Sequence, residues 1–226
     1  FYYFSIINRT SSEPQLLPIF LSIITGYLFG SIPTAYLLVH WKHRSDIRKQ
    51  GSGNVGALNT FESTGSKPLA AAVLIIDFIK GLCAVILTYH VIDSSFWILG
   101  LTGMCAVLGH NYSVWIGFNG GRGLATAAGV LLPLSWSLIA LWGILWLAAK
   151  KIFRNIHIAN AVATVVGPAV VWLWPSPWSS PILSLGTGKR NVAPVFTSIC
   201  IIVITRHLEP LIELWQSSHH SIPHDV

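Results

Sequence analysis

The chain is short of charge. Only 10% of its 226 residues are Asp, Glu, Lys or Arg, against about 25% in an ordinary soluble domain. That is too few to coat a water-facing globule, which argues against a soluble enzyme. Acidic residues are the scarcer sign, eight against fourteen basic ones, for a net charge of +6. With no soluble domain to carry it, this excess does not read as nucleic-acid binding. It belongs on cytoplasmic loops beside anionic headgroups. Cysteine is sparse too. Cys83, Cys105 and Cys200 stand alone in apolar stretches, which leaves no disulfide framework and no zinc-type spacing. They read as small buried hydrophobes. There is no Gly-x-Ser-x-Gly elbow, and no Gly-Lys-Ser/Thr closes a glycine loop. A hydrolase nucleophile elbow and a Walker A site are therefore absent. Residues 1–15 show no signal-peptide cleavage pattern. The chain opens Phe-Tyr-Tyr-Phe without Met, so an incomplete or processed N-terminus is expected.

What remains is mostly apolar. Hydrophobic residues make up 53% of the chain, the mean hydropathy is +0.62, and ten Trp suit interfacial belts. Long apolar runs cover residues 16–39, 69–92, 124–149 and 156–174, with shorter ones at 96–108 and 192–205. Basic residues punctuate them: Lys42, Arg44, Arg48 and Lys49, then Arg122, then Lys150, Lys151 and Arg154, then Arg206. The positive-inside rule puts all four clusters on one side of the membrane. That requires the 124–149 run to enter and leave on the same face. Pro133 is the expected divider into two short helices. The expectation is an all-α polytopic membrane protein of about seven transmembrane or partial-span helices. Residues 1–15 form an extension, 16–208 one domain, and 209–226 a polar tail.

Three polar, glycine-rich stretches interrupt the apolar pattern. They are 51–59 (GSGNVGALN), 109–111 (GHN) and 117–126 (GFNGGRGLAT). Their backbone groups could not be satisfied in hydrocarbon. They read as compact loops that hold an anionic polar ligand at the membrane edge. Gly51, Gly53 and Gly56 let the backbone curl its N–H groups toward one point, and Ser52, Asn54 and Asn59 add neutral donors. Gly120, Gly121 and Gly123 precede a helix N-terminus, with Arg122 adding a fork of donors. Asp77 and Lys80 share one helix face inside an apolar run. They are either an ion pair that docks the helix or a lysine offered to a phosphate. His110 and Asn111 sit at a helix end. The only His-x4-Asp pattern, His220 to Asp225, falls in the tail and reads as chance.

Five blocks then resemble a known family: 30–37 (GSIPTAYL), 51–59, 77–81 (DFIKG), 109–126 and Arg206-His207. Together, in this order, they are similar to the bacterial acyl-phosphate:glycerol-3-phosphate acyltransferases, small seven-helix membrane enzymes. The resemblance implies transfer of a fatty acyl group from acyl phosphate to glycerol 3-phosphate, without metal or other cofactor. It implies a place in phospholipid biosynthesis, in the bacterial inner membrane, with the active face cytoplasmic. Partners would be the two substrates and membrane lipids, with no nucleic acid. Catalytic roles would fall to Ser52, Asn54, Lys80, His110 and His207. Gly51, Gly53, Asn59, Asn111, Gly120, Gly121, Arg122 and Gly123 would bind substrate. Arg122 stands where the family usually has Lys.

Some positions depart from the family pattern. Glu62 replaces an Arg expected at the acceptor's phosphate. His157 and Asn160 replace two serines, and Pro210 replaces an Asn. Three readings follow: glycerol 3-phosphate bound through substitutes such as His157, Lys150 or Lys151; a different hydroxyl acceptor; or a non-catalytic subunit of a larger membrane complex. The extra Trp residues, among them Trp136, Trp142, Trp146, Trp172 and Trp174, fit the last reading or plain interfacial anchoring.

Overall fold

A computed structural model describes residues 16–174 and 192–220, with side chains through 217. Expectations for residues 1–15, for the turn after Trp174, for the side chains of His219 and His220, and for His224 lie outside what is described. The described chain is helical. The elements are α1 (Leu16–Ser31), α2 (Thr34–His43), α3 (Ala57–Thr64), α4 (Lys67–Leu87) and α5 (Phe96–Asn111). They continue with α6 (Leu124–Phe153), α7 (Ile156–Leu173), α8 (Ala193–Thr205) and α9 (Leu208–His220).

The helices begin and end where local chemistry dictates. Pro33 has no N–H to give and separates α1 from α2. The Ser66 hydroxyl accepts from the Leu69 N–H, and Pro68 follows in the first turn of α4. Asn155 caps α7 by accepting from the His157 and Ile158 N–H groups. Gly26 and Gly30 of α1 lie directly against the Thr102 and Ala106 carbonyls of α5. This small-residue seam lets two helices touch backbone to backbone, the usual route to tight packing in lipid. Large side chains such as Leu74, Ile75, Ile144 and Ile201 point outward, where lipid is their solvent.

Contacts between helix ends fix the directions. The Tyr27 hydroxyl donates to the Tyr112 carbonyl at 2.8 Å, so α1 and α5 end together. The Tyr112 hydroxyl donates to Thr205 Oγ at 2.8 Å, which brings the end of α8 to the same place. The return runs are α4, whose Thr88 meets Thr102 of α5 far from that end, and α7.

α6 is the decisive element. A straight helix of 30 residues would be about 45 Å long. Yet Arg122 before its start lies 3.3 Å from His157 Nδ1, just past its end. The helix must fold back. It does so at Ser135, whose φ of −168° and ψ of 91° are not helical. Pro133 already weakens that turn, and the break falls two residues beyond it. The second arm then runs beside α7, with the Trp146 indole N–H donating to Asn160 at 2.7 Å and the Trp142 indole to Thr164 at 3.2 Å. Counting both arms, with α1–α2 as one, gives seven membrane-directed segments among the described residues. Arg48, Arg122, Arg154 and Arg206 all fall on one face, as the charge pattern requires. Within the stretch expected to be a polar tail, residues 208–220 form α9.

Candidate active site

The three polar segments converge on that face. The Gly120 N–H donates to the Asn111 carbonyl at 3.2 Å, and the Gly121 N–H to the His110 carbonyl at 3.0 Å. Arg48, beside the first segment, donates through Nη1 to the Ile116 carbonyl at 3.2 Å. The Val55 N–H points at the Gly120 carbonyl, 3.5 Å away. A glycine is mandatory at 121. A side chain there would strike the His110 ring nitrogen and the Val55 carbonyl, forcing the three segments apart.

Two adjoining cavities result, with Asn54 and Arg122 in the wall of both. The first is a polar cup of about 570 Å³, lined by Asp46, Arg48, Lys49, Ser52, Gly53, Asn54, Asn119, Arg122, Arg206 and Glu209. Four cations against two carboxylates make it a site for an anion. Arg122 and Asn54 also line the second cavity, about 420 Å³, which runs inward between α3, α4, the arms of α6, and α7. Its walls include Leu74, Leu124, Ala128, Trp142 and Trp146, with His110 and His207 at the polar end. A third, apolar space of about 250 Å³ shares Leu124, Ala128 and Trp142 with it and reaches Phe196 and Cys200. The sequence of environments is cationic cup, polar junction, greasy recess.

Not every expected ligand-binding residue faces this space. Ser52, Gly53, Asn54 and Arg122 line the cup, and His110, His207 and Gly123 line the inner cavity. Gly120 and Gly121 make the floor by packing on α5. Asn59 is instead a brace. Its amide donates to the Ile47, Gln50 and Asn54 carbonyls, while its oxygen accepts from the Ser52 N–H at 3.0 Å. The expected curl of free N–H groups is corrected accordingly. The Ser52, Gly53 and Gly56 N–H groups are spent inside the loop, on Asn59, Gln50 and Asn54. Left-handed φ values of 52° at Gly51 and 68° at Gly53 shape the turn that permits this. Asn111 is a second brace, donating to the Ile202 carbonyl of α8 at 2.9 Å.

Lys80 makes the contacts that the docking reading expects. It pairs with Asp77 at 2.9 Å and donates to the Ile32 carbonyl at 2.8 Å. That carbonyl sits at the α1–α2 break before Pro33, where the helical ladder is interrupted. Asp77 also lies 3.6 Å from His110 Nδ1. The two histidines differ. His207 Nδ1 is 2.9 Å from the Val203 carbonyl, which can only accept, so the proton is on Nδ1. Nε2 of a neutral ring is then a bare acceptor, and it is buried without a partner.

Some lining residues were missed as site residues in the sequence. Arg48 and Lys49 were visible only as part of a basic cluster, and Asn119 only as a loop residue. Arg206 was visible beside His207, and it donates to the Gly120 carbonyl at 3.2 Å. Glu209 was assigned to the tail. The apolar spacing of Leu208, Leu211, Ile212 and Trp215 is the signal that would have found α9. Electrostatics outside the spans follow simple causes. Hydrogen bonds from Arg48 hold the Asp46 carboxyl below the usual carboxylate range. Burial presses Arg122 down from its usual value, and Glu209 pulls it the other way.

The departures also find places. Glu62 is exposed on α3 and does not line the cup. His157 touches Arg122, and Asn160 is taken by Trp146. Lys150 donates to the Arg154 carbonyl at the end of α6. Trp142, Trp146 and Trp172 satisfy their indole N–H groups within the chain, so they give no support to a partner subunit.

Comparison with known proteins agrees with this geometry. The family described as "Glycerol-3-phosphate acyltransferase" matches residues 20–217. The glycerol-3-phosphate acyltransferase of Mesorhizobium japonicum is 37% identical over 188 residues, 83% of this chain and 87% of its own. Glycerol-3-phosphate acyltransferase 2 of Moorella thermoacetica is 41% identical over 159 residues, covering 70% and 80%. The crystal structure of PlsY (YgiH), an integral membrane glycerol 3-phosphate acyltransferase, in its glycerol 3-phosphate form superposes with a TM-score of 0.72 at 31% identity. The match covers 88% of this chain and 92% of that one. Its lysophosphatidic acid form gives 0.70 at 30%.

Proposed function

Because the chain belongs to the glycerol-3-phosphate acyltransferase family, we propose that it moves a fatty acyl group from acyl phosphate to the 1-hydroxyl of glycerol 3-phosphate. It is an integral membrane acyltransferase that makes lysophosphatidic acid for phospholipid synthesis. The observation that carries the reading is the adjacency of the two cavities, whose walls share Asn54 and Arg122. Acyl phosphate is half anion and half hydrocarbon, with its reactive carbonyl at the boundary. A cationic cup set beside an apolar recess matches the two halves of such a molecule.

The acyl chain occupies the recess toward Trp142 and Phe196. The cup holds the phosphates. The loss of an arginine at position 62 leaves Arg48, Lys49, Arg122 and Arg206 in the cup. That supports glycerol 3-phosphate as the acceptor. The hydroxyl oxygen attacks the carbonyl carbon, the bond from that carbon to the phosphate oxygen breaks, and inorganic phosphate leaves. A mixed anhydride is already activated, so positioning and charge stabilisation supply most of the catalysis. Arg122 and the Ser52 and Asn54 side chains stabilise the departing charge. The hydroxyl proton passes to His207 Nε2, the unpartnered acceptor at the junction. The basic clusters support a cytoplasmic orientation in the inner membrane.

The test uses purified protein and palmitoyl phosphate. Inorganic phosphate should be released only when glycerol 3-phosphate is added, with one lysophosphatidic acid formed per phosphate. Acceptor-independent release, or no turnover, would overturn the reading.

A further inference from the structure

Glu209 has no evident use in a cup built for phosphate alone. It lines the same cavity as Arg48, Lys49, Arg122 and Arg206. The other carboxylate there, Asp46, is engaged by Arg48 at 2.7 Å. The ion pairs among the described residues are Arg48–Asp46, Lys80–Asp77 and His110–Asp77. Glu209 is in none of them. A carboxylate set beside an anion site repels the anion. Its charge is felt as far as Arg122.

The conflict disappears if the ligand also brings hydroxyl groups. An ionised carboxylate is an acceptor only, and a hydroxyl can donate to it. Phosphate oxygens need donors, which the four cations, Ser52 and Asn54 provide. The acceptor molecule in the preceding reading has one hydroxyl that reacts and one that does not. We propose that Glu209 is a specificity-determining residue that accepts a hydrogen bond from the non-reacting hydroxyl and so selects polyol phosphates over simple alkanol phosphates. The chain bends by 46° between α8 and α9. Glu209 falls in the first turn of α9, immediately after the bend, followed by buried Pro210.

This rests on the acyl-transfer reading. Its test compares glycerol 3-phosphate with 3-hydroxypropyl phosphate, which keeps the phosphate and the reacting hydroxyl but lacks the second one. Palmitoyl phosphate is the donor, and the full chain is assayed in lipid nanodiscs. Wild-type protein should prefer glycerol 3-phosphate in kcat/KM. Glu209→Gln should cut that preference by roughly 10-fold or more, the scale of a hydrogen bond to a charged group. Glu209→Asp should restore part of it. Glu213→Gln, one turn along α9 and outside the cup lining, should leave the ratio unchanged. If Glu209→Gln shifts both acceptors equally, the residue only tunes charge and the proposal is overturned. If wild-type protein turns over neither acceptor, the acyl-transfer reading fails, and this proposal falls with it.

Discussion

Arg122→Ala should lower kcat/KM for glycerol 3-phosphate by about 100- to 1,000-fold, the usual cost of removing one preorganised charge-stabilising donor. Arg122 is the one charged side chain that lines both the cationic cup and the inner cavity among the described residues. The reacting carbonyl sits at that junction, where charge shifts from the acyl oxygen to the leaving phosphate. Water is partly excluded there, as the half-buried guanidinium shows, so each donor counts for more than it would in bulk solvent. The guanidinium meets His157 at 3.3 Å, so little of the fold depends on it. Thermal unfolding should therefore move far less than the rate. Arg122→Lys keeps the charge and loses the fork. It should stay within about tenfold of wild type, since a departing phosphate is met well by a point charge. An Arg122→Ala protein with near-normal turnover would remove this residue from the mechanism.

The second large effect is on stability. Lys80→Met should destabilise the protein by about 3–5 kcal/mol, because it takes the lysine from the buried Asp77 carboxylate and leaves it only His110, 3.6 Å away. Both side chains are only 4% exposed. The change also removes the side-chain donor to the Ile32 carbonyl at the α1–α2 break, leaving it the Thr34 N–H. Asp77→Asn combined with Lys80→Met should recover most of the loss, since an uncharged pair needs no counter-ion. Thermal unfolding in detergent reads both. If Lys80→Met unfolds like wild type but loses turnover, Lys80 acts on substrate and its docking role is wrong.

The sequence made the spans and the convergence of the polar loops legible for one reason. Irregular loop backbone carrying Asn, Ser and Arg cannot sit in hydrocarbon, and three such loops between apolar runs have few places to go. Charge placement even demanded the fold-back of α6. The position of the break was less legible, because Pro133 weakens a turn without choosing which neighbouring residue leaves the helix. The division of labour within the site was not legible at all. Asn54 and Asn59 have the same chemistry and lie five residues apart. One lines the cup, while the other is enclosed by the Ile47, Gln50 and Asn54 carbonyls. Only the path of the loop decides between them. α9 was hidden by its polarity. Leu208, Leu211, Ile212 and Trp215 are spaced for one helical face, but the segment is too polar overall to stand out as a membrane element.

The account depends on the fold-back of α6, because a straight helix would carry its two ends to opposite membrane faces and open the cup. Cross-linking tests this directly. A cysteine at Arg122 and another at His157, in a chain freed of its three native cysteines, should be joined within one molecule by a short bifunctional maleimide in native membranes. Failure to join, with each single cysteine still labelled by a monofunctional maleimide, would contradict it.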